Sequence, residues 1–78
     1  MSGVLREGRV IAFERQRGLG EIQVHDGAER FPFHATQLVD GLRAISIEAH
    51  VTFVVAAGPA GHWEATQIEP VEDSLAPR

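Results

Sequence analysis

Two short stretches decide the reading of the fold: Arg17-Gly18-Leu19-Gly20-Glu21-Ile22 and Phe31-Pro32-Phe33-His34. From Leu19 to Val24 the residues alternate, with Ile22 and Val24 on one face and Glu21 and Gln23 on the other, the period-two signature of a half-buried strand. His25-Asp26-Gly27-Ala28 contains Asp-Gly and marks a hairpin turn. Phe31 and Phe33 then share one face of the next strand while Pro32 and His34 take the other. A proline donates nothing to a ladder, so this strand is expected at a sheet edge, or broken at Pro32. The outward positions of the pair thus hold an acid, Glu21, and a proline.

Upstream of this hairpin, Arg9-Val10-Ile11-Ala12-Phe13-Glu14 is rich in branched and aromatic residues and is followed by the polar turn Arg15-Gln16-Arg17-Gly18, which reads as a strand and a loop. Downstream, 36–41 is expected to hold a short helical turn with Thr36 as its N-cap, and 42–49 a loop. His50 to Ala56 alternates Val51, Phe53 and Val55 inward as a fourth strand. After the turn Gly58-Pro59-Ala60-Gly61, residues 62–71 form a fifth, ending near Pro70. Residues 1–5 read as an N-terminal arm, 6–71 as the domain, and 72–78 as a polar, flexible tail.

Five short strands with almost no helix predict an all-β fold, a small closed five-stranded antiparallel barrel, because closure removes the exposed edges of so small a sheet. Its expected inward residues are Val10, Ile22, Val24, Phe31, Phe33, Val51, Phe53, Val55 and Ile68. With 78 residues there is room for one domain, and a domain of that size buries only about 60% of its chain surface. There is no Cys, so neither a disulfide nor a thiolate-held metal can supplement the apolar core.

The formal net charge is −4, and all seven basic residues are arginines. That balance disfavours duplex binding driven by phosphate contacts, which needs a basic face. The charge is nevertheless asymmetric: Arg6, Arg9, Arg15, Arg17 and Arg30 lie in the first half, whereas Glu48, Glu64, Glu69, Glu72 and Asp73 lie in the second. The N-terminus lacks a basic region followed by an apolar run, and nothing approaches a membrane-spanning length, so a cytoplasmic protein without membrane contact is expected.

Catalytic chemistry finds little purchase. Ser2, Ser46 and Ser74 lie in loops or termini without a base at recognisable spacing. Gly18-Leu19-Gly20 is not followed by a helix, as a dinucleotide site requires. His25, His34, His50 and His62 fall on separate elements with no short ligand spacing. The expectation is therefore no enzyme, no catalytic residue, no metal and no cofactor.

The arrangement resembles a cold-shock domain, a barrel of OB type. The residues that carry the resemblance are Gly8, Val10, Phe13, Arg17-Gly18, Gly20, Ile22, then Phe31, Phe33-His34, Thr36, Leu38, then Val51, Phe53, Gly58, Gly61 and Ile68. They span about residues 6 to 70, with small length differences after Gly41 and near His62. The resemblance implies single-stranded RNA or DNA as the ligand, stacked on outward aromatics of the first three strands beside basic and polar groups. Carried over residue by residue, Phe13 keeps its ring, Arg17 its cation and His34 its imidazole. The other positions depart from the family's pattern. Ile11 and Ala12 stand for its Lys-Trp, Leu19 and Glu21 for the aromatics around the second glycine, Pro32 and Ala35 for those flanking the strand's end, and Leu42 for one in the following loop.

Stacking on an aromatic contributes about 1–3 kcal/mol per base, so losing several rings is expected to cost on the order of 5 kcal/mol, or three to four decades in affinity. The candidate nucleic-acid-binding residues are Phe13, Arg17, Leu19, His34 and Trp63, the last as a relocated anchor or as a cover for one end of the barrel. Two functions remain open: weak binding of single strands, or a protein-interaction barrel whose former platform, Ala12, Leu19, Glu21 and Pro32, faces a protein partner. A monomer or a homodimer formed by strand addition at the third strand is compatible with either.

Overall fold

Alternation sets the strands, and turn chemistry separates them. In the structure, a computed structural model that describes residues 5–42, 44–58 and 61–71, β1 is Leu5–Glu14, β2 Leu19–Val24, β3 Arg30–His34, β4 His50–Ala57 and β5 Trp63–Pro70. They form one antiparallel sheet in the order β3-β2-β1-β4-β5. The expected tail 72–78 and residues 1–4 of the expected arm lie outside the described residues. β1 begins at Leu5, earlier than the apolar alternation, because its first residues pair with β4 from Leu5↔Val54 to Arg9↔His50. Among the described residues no helix is long and apolar enough to cross a membrane.

β1 is the shared strand. Its later part pairs with β2, and the register slips by one between Val10 and Ala12, so Ile11 is the extra residue of a bulge, which bends the strand and turns it from one half of the sheet into the other. The loop before β4 docks on that bulge. Val10 N–H donates to the Ala49 carbonyl at 2.9 Å and Glu48 N–H donates to the Val10 carbonyl at 2.7 Å. Gly8 sits where β1 and β2 come closest: a Cβ there would run into the Gln23 carbonyl, and only glycine permits the approach.

The buried core is Val10, Ile22, Val24, Phe31, Phe33, Leu38, Val51, Phe53, Ala65 and Ile68. Every expected inward residue is in it except Val55, which is half-buried and packs against it. Leu38 and Ala65 are additions. Phe31 and Phe53, ring centroids 6.0 Å apart, join the two halves of the sheet through the interior. Covering these side chains is the main favourable contribution to so small a fold.

The expected closed barrel is closed by packing and not by a continuous ladder. β3 and β5 are the two edges of the hydrogen-bonded sheet, and the seam between them is bridged by Leu38, which pairs in parallel with Ile68. Pro32 helps to explain the open ladder. Ala35 N–H donates to the Gly18 carbonyl and Val24 N–H to the Glu29 carbonyl, so hydrogen-bonded pairs fall on the even-numbered residues of β2. Glu21↔Pro32 is therefore a non-hydrogen-bonded pair, and the Pro32 nitrogen faces away from β2, toward the seam, where it offers no donor.

The expected helical turn over 36–41 is two 3-10 turns, Ala35–Gln37 and Val39–Gly41, and the cap of the first is His34 and not Thr36. The imidazole at the end of β3 reaches the first free donor of the turn, which places Thr36 inside it.

Candidate nucleic-acid interface

Register fixes which side chains share the outer face of β1, β2 and β3. Three outward rows cross these strands: Arg9, Gln23 and Arg30; then Ala12, Glu21 and Pro32; then Glu14, Leu19 and His34. Residues opposed in this way stand within side-chain reach of each other. The row nearest the turn of residues 15–18 brings Leu19 and His34 together, with Arg17 in the turn beside them. An open depression of about 320 Å³ runs from Ala12 and Glu14 past Leu19 to Glu21.

His34 is held in one orientation. Its Nδ1 accepts the Thr36 backbone N–H at 3.1 Å and lies 3.1 Å from Thr36 Oγ1. An Nδ1 that accepts a backbone donor carries no proton, so in the neutral ring the proton sits on Nε2, leaving that atom a donor on the exposed side. Gly18, at φ +67, lets the turn pass close to this ring: a Cβ there would lie 3.3 Å from Ala35 Cβ and 3.6 Å from His34 Cε1. The glycine before Leu19 thus serves the imidazole as much as the turn.

Phe13 belongs to the inward side. It is opposite Gly20, which is opposite Phe33, and its ring stacks on Phe33 with centroids 5.9 Å apart and planes 9° from parallel. Gly20 makes this stack possible, since a Cβ would occupy the space taken by the Phe33 ring. Phe13 is half-buried and sits at the rim of the depression, which it helps to line.

Arg17 is 71% exposed and lies 3.7 Å from the Glu14 carboxylate. Arg9 is tied to Glu48 at 2.6 Å and Arg6 to Glu29 at 3.1 Å. Among the described residues, Arg15 and Arg30 make no ion pair, and neither does Glu21, which stands in the middle row. The face therefore carries free cations at both margins and an uncompensated carboxylate between them.

Trp63 is not part of this face. It opens β5 opposite Ala57 and is 63% exposed. It lines a depression of about 340 Å³ with Arg6, Glu29, Phe31 and Val55. That is the far end of β1: Arg6 and Glu14 are eight residues apart on one strand, about 26 Å at the usual rise. There Arg6 lies over the Phe31 ring, 5.6 Å from its centroid. Of the residues singled out from the sequence, Arg17, Leu19 and His34 come together with Phe13 at their rim, and Trp63 stands apart. The capping role of His34, whose Nδ1 accepts the Thr36 backbone N–H, was missed, although a histidine ending a strand two residues before a threonine was the signal available.

No family model matches the chain, and no curated protein matches it. Among solved structures, Drosophila Unr CSD456 is similar with a TM-score of 0.72 and 23% identity over 88% of this chain. The match spans 27% of that chain, so the present protein corresponds to about a quarter of it. The likeness shows that the fold is cold-shock-like.

Proposed function

We propose that the protein is a cold-shock-like module that binds single-stranded RNA or DNA weakly, through the turn end of the outer face of β1–β3. The observation that carries this reading is the convergence there of Leu19, Arg17 and an imidazole locked with Nε2–H outward. A base can lie against Leu19 and the rim of Phe13, the Nε2–H can donate to a base or phosphate acceptor, and Arg17 supplies the cation. Weakness follows from the middle row. Where the family pattern places rings, Ala12 and Pro32 give no aromatic plane, and the unpaired Glu21 carboxylate repels phosphate. Trp63, at the other end of β1, contributes nothing to this site.

A second reading is favoured by the same row. Leu19 is 46% exposed and is next to Ala12 and Pro32 in the neighbouring row, with one acid among them, a composition that suits a small protein interface. The two readings separate in a fluorescence-anisotropy titration with labelled oligopyrimidines at low salt. The nucleic-acid reading expects a Kd of about 10–100 μM, weakened by Arg17→Ala and by His34→Ala and unchanged by Trp63→Phe. Absence of saturable binding by the parent, with the fold intact by circular dichroism, favours the protein-interaction barrel.

A further inference from the structure

Four histidines on separate elements gave no sign of a joint site, yet the fold brings two of them into contact. His25, just past β2, and His50, at the start of β4, reach across β1 so that His25 Nε2 and His50 Nδ1 lie 3.0 Å apart. Their ring centroids are 5.0 Å apart in an edge-on arrangement. Glu7 of β1 lies between them in the sheet. Its carbonyl accepts the His25 backbone N–H at 3.0 Å, and its carboxylate Oε1 is 4.0 Å from His25 Nδ1. With Val71, these three residues line an open depression of about 270 Å³.

We propose that His25 and His50 form a binding site for a late first-row divalent cation such as Zn²⁺, with Glu7 supplying a negative charge beside them. Two imidazole nitrogens bound at about 2.0–2.1 Å in neighbouring coordination positions stand roughly 3 Å apart, and the pair already has that separation. The donor atoms come from backbone anchored in the sheet and its ladders, so little has to be ordered when a cation replaces the proton shared between the rings. The Glu7 carboxylate, 4.0 Å from the other nitrogen of His25, is beyond hydrogen-bond reach and favours a cation here by its charge. Imidazole suits Zn²⁺, Ni²⁺ and Cu²⁺ and not Mg²⁺ or Ca²⁺. Among the described residues no group of three or more His, Cys, Asp and Glu gathers with metal-holding geometry. The site therefore offers two protein ligands, with water completing the shell, and its affinity is modest. A bound ion would link β2 to β4 over the outer surface of β1.

The test is thermal unfolding of the full chain at neutral pH in ZnCl₂ and in EDTA, paired with NMR of the histidine ring nitrogens. The parent is expected to melt about 6–11 °C higher once Zn²⁺ is in roughly tenfold excess over its Kd. His25→Gln and His50→Gln should each abolish the shift, whereas Glu7→Gln should reduce it. The ring nitrogens of His25 and His50 should move with Zn²⁺ while those of His34 and His62 stay in place. MgCl₂ should do nothing. A parent that melts identically in Zn²⁺ and EDTA would overturn the assignment. So would a shift that survives in both glutamine variants, or one accompanied by movement of His34 or His62 alone.

Discussion

The two faces of β1–β3 are made by the same strands and obey different rules. The inward rows, Val10–Ile22–Phe31 and Phe13–Gly20–Phe33, interlock: a ring on β3 reaches over a glycine on β2 to stack on a ring of β1. Each position there is set by its neighbours' volume. The outward row Ala12–Glu21–Pro32 faces away from the core. The inner face therefore sets the architecture, while the outer face is free of that constraint.

If that contrast holds, substitutions should divide by face. The largest effect is expected from Phe53→Ala, which empties a fully buried site and should cost about 3–5 kcal/mol, enough to unfold much of so small a domain. Urea denaturation at matched m-values checks this, and a variant as stable as the parent would remove Phe53 from the core. Leu38→Ala should cost about 2–3 kcal/mol, because Leu38 fills the seam that no ladder closes. Gly20→Ala should cost about 1–3 kcal/mol by forcing the Phe33 ring off Phe13, with a changed near-ultraviolet aromatic signal as its mark.

The outward face should yield far less. Arg9→Ala removes an exposed ion pair with Glu48 and should cost under about 1 kcal/mol, less in high salt. Pro32→Val is expected within about 0.5 kcal/mol of the parent, since the proline nitrogen faces the seam and gives up no bond to β2. The variant does regain an edge donor, so concentration-dependent association in sedimentation would be its signature. A large loss of stability from Pro32→Val would mean that the row is structural, and the contrast between faces would fail.

The sequence made the strands legible because period-two alternation directly reports a face: Ile22 with Val24, Phe31 with Phe33 and Val51 with Phe53 all point inward as read. Leu38 escaped because it follows a 3-10 turn, where no period-two pattern applies, and Ala65 because a small residue carries little apolar signal. The edge position of β3 was readable from Pro32, but the incomplete ladder was not, since closure depends on geometry between distant elements. Within the candidate site, His34, Arg17 and Leu19 were readable as neighbours through the β2–β3 register. Phe13 could be assigned to a side only once the bulge at Ile11 was known, because one extra residue shifts every later side chain to the opposite face. Trp63 and the His25–His50 pair rest on cross-strand placement that no local pattern contains.

The proposed function holds that the outer face of β1–β3 keeps the place for a single strand but lacks the rings to hold it. The most direct test is anisotropy with a labelled single-stranded pyrimidine oligonucleotide at low salt, comparing the parent with the triple variant Ala12→Trp, Glu21→Phe, Pro32→Phe. Circular dichroism must match between the two proteins. The expected result is a parent Kd no tighter than about 10 μM and a gain of about 1–3 kcal/mol for each ring restored. Submicromolar binding by the parent, or no gain in a correctly folded triple variant, would contradict it.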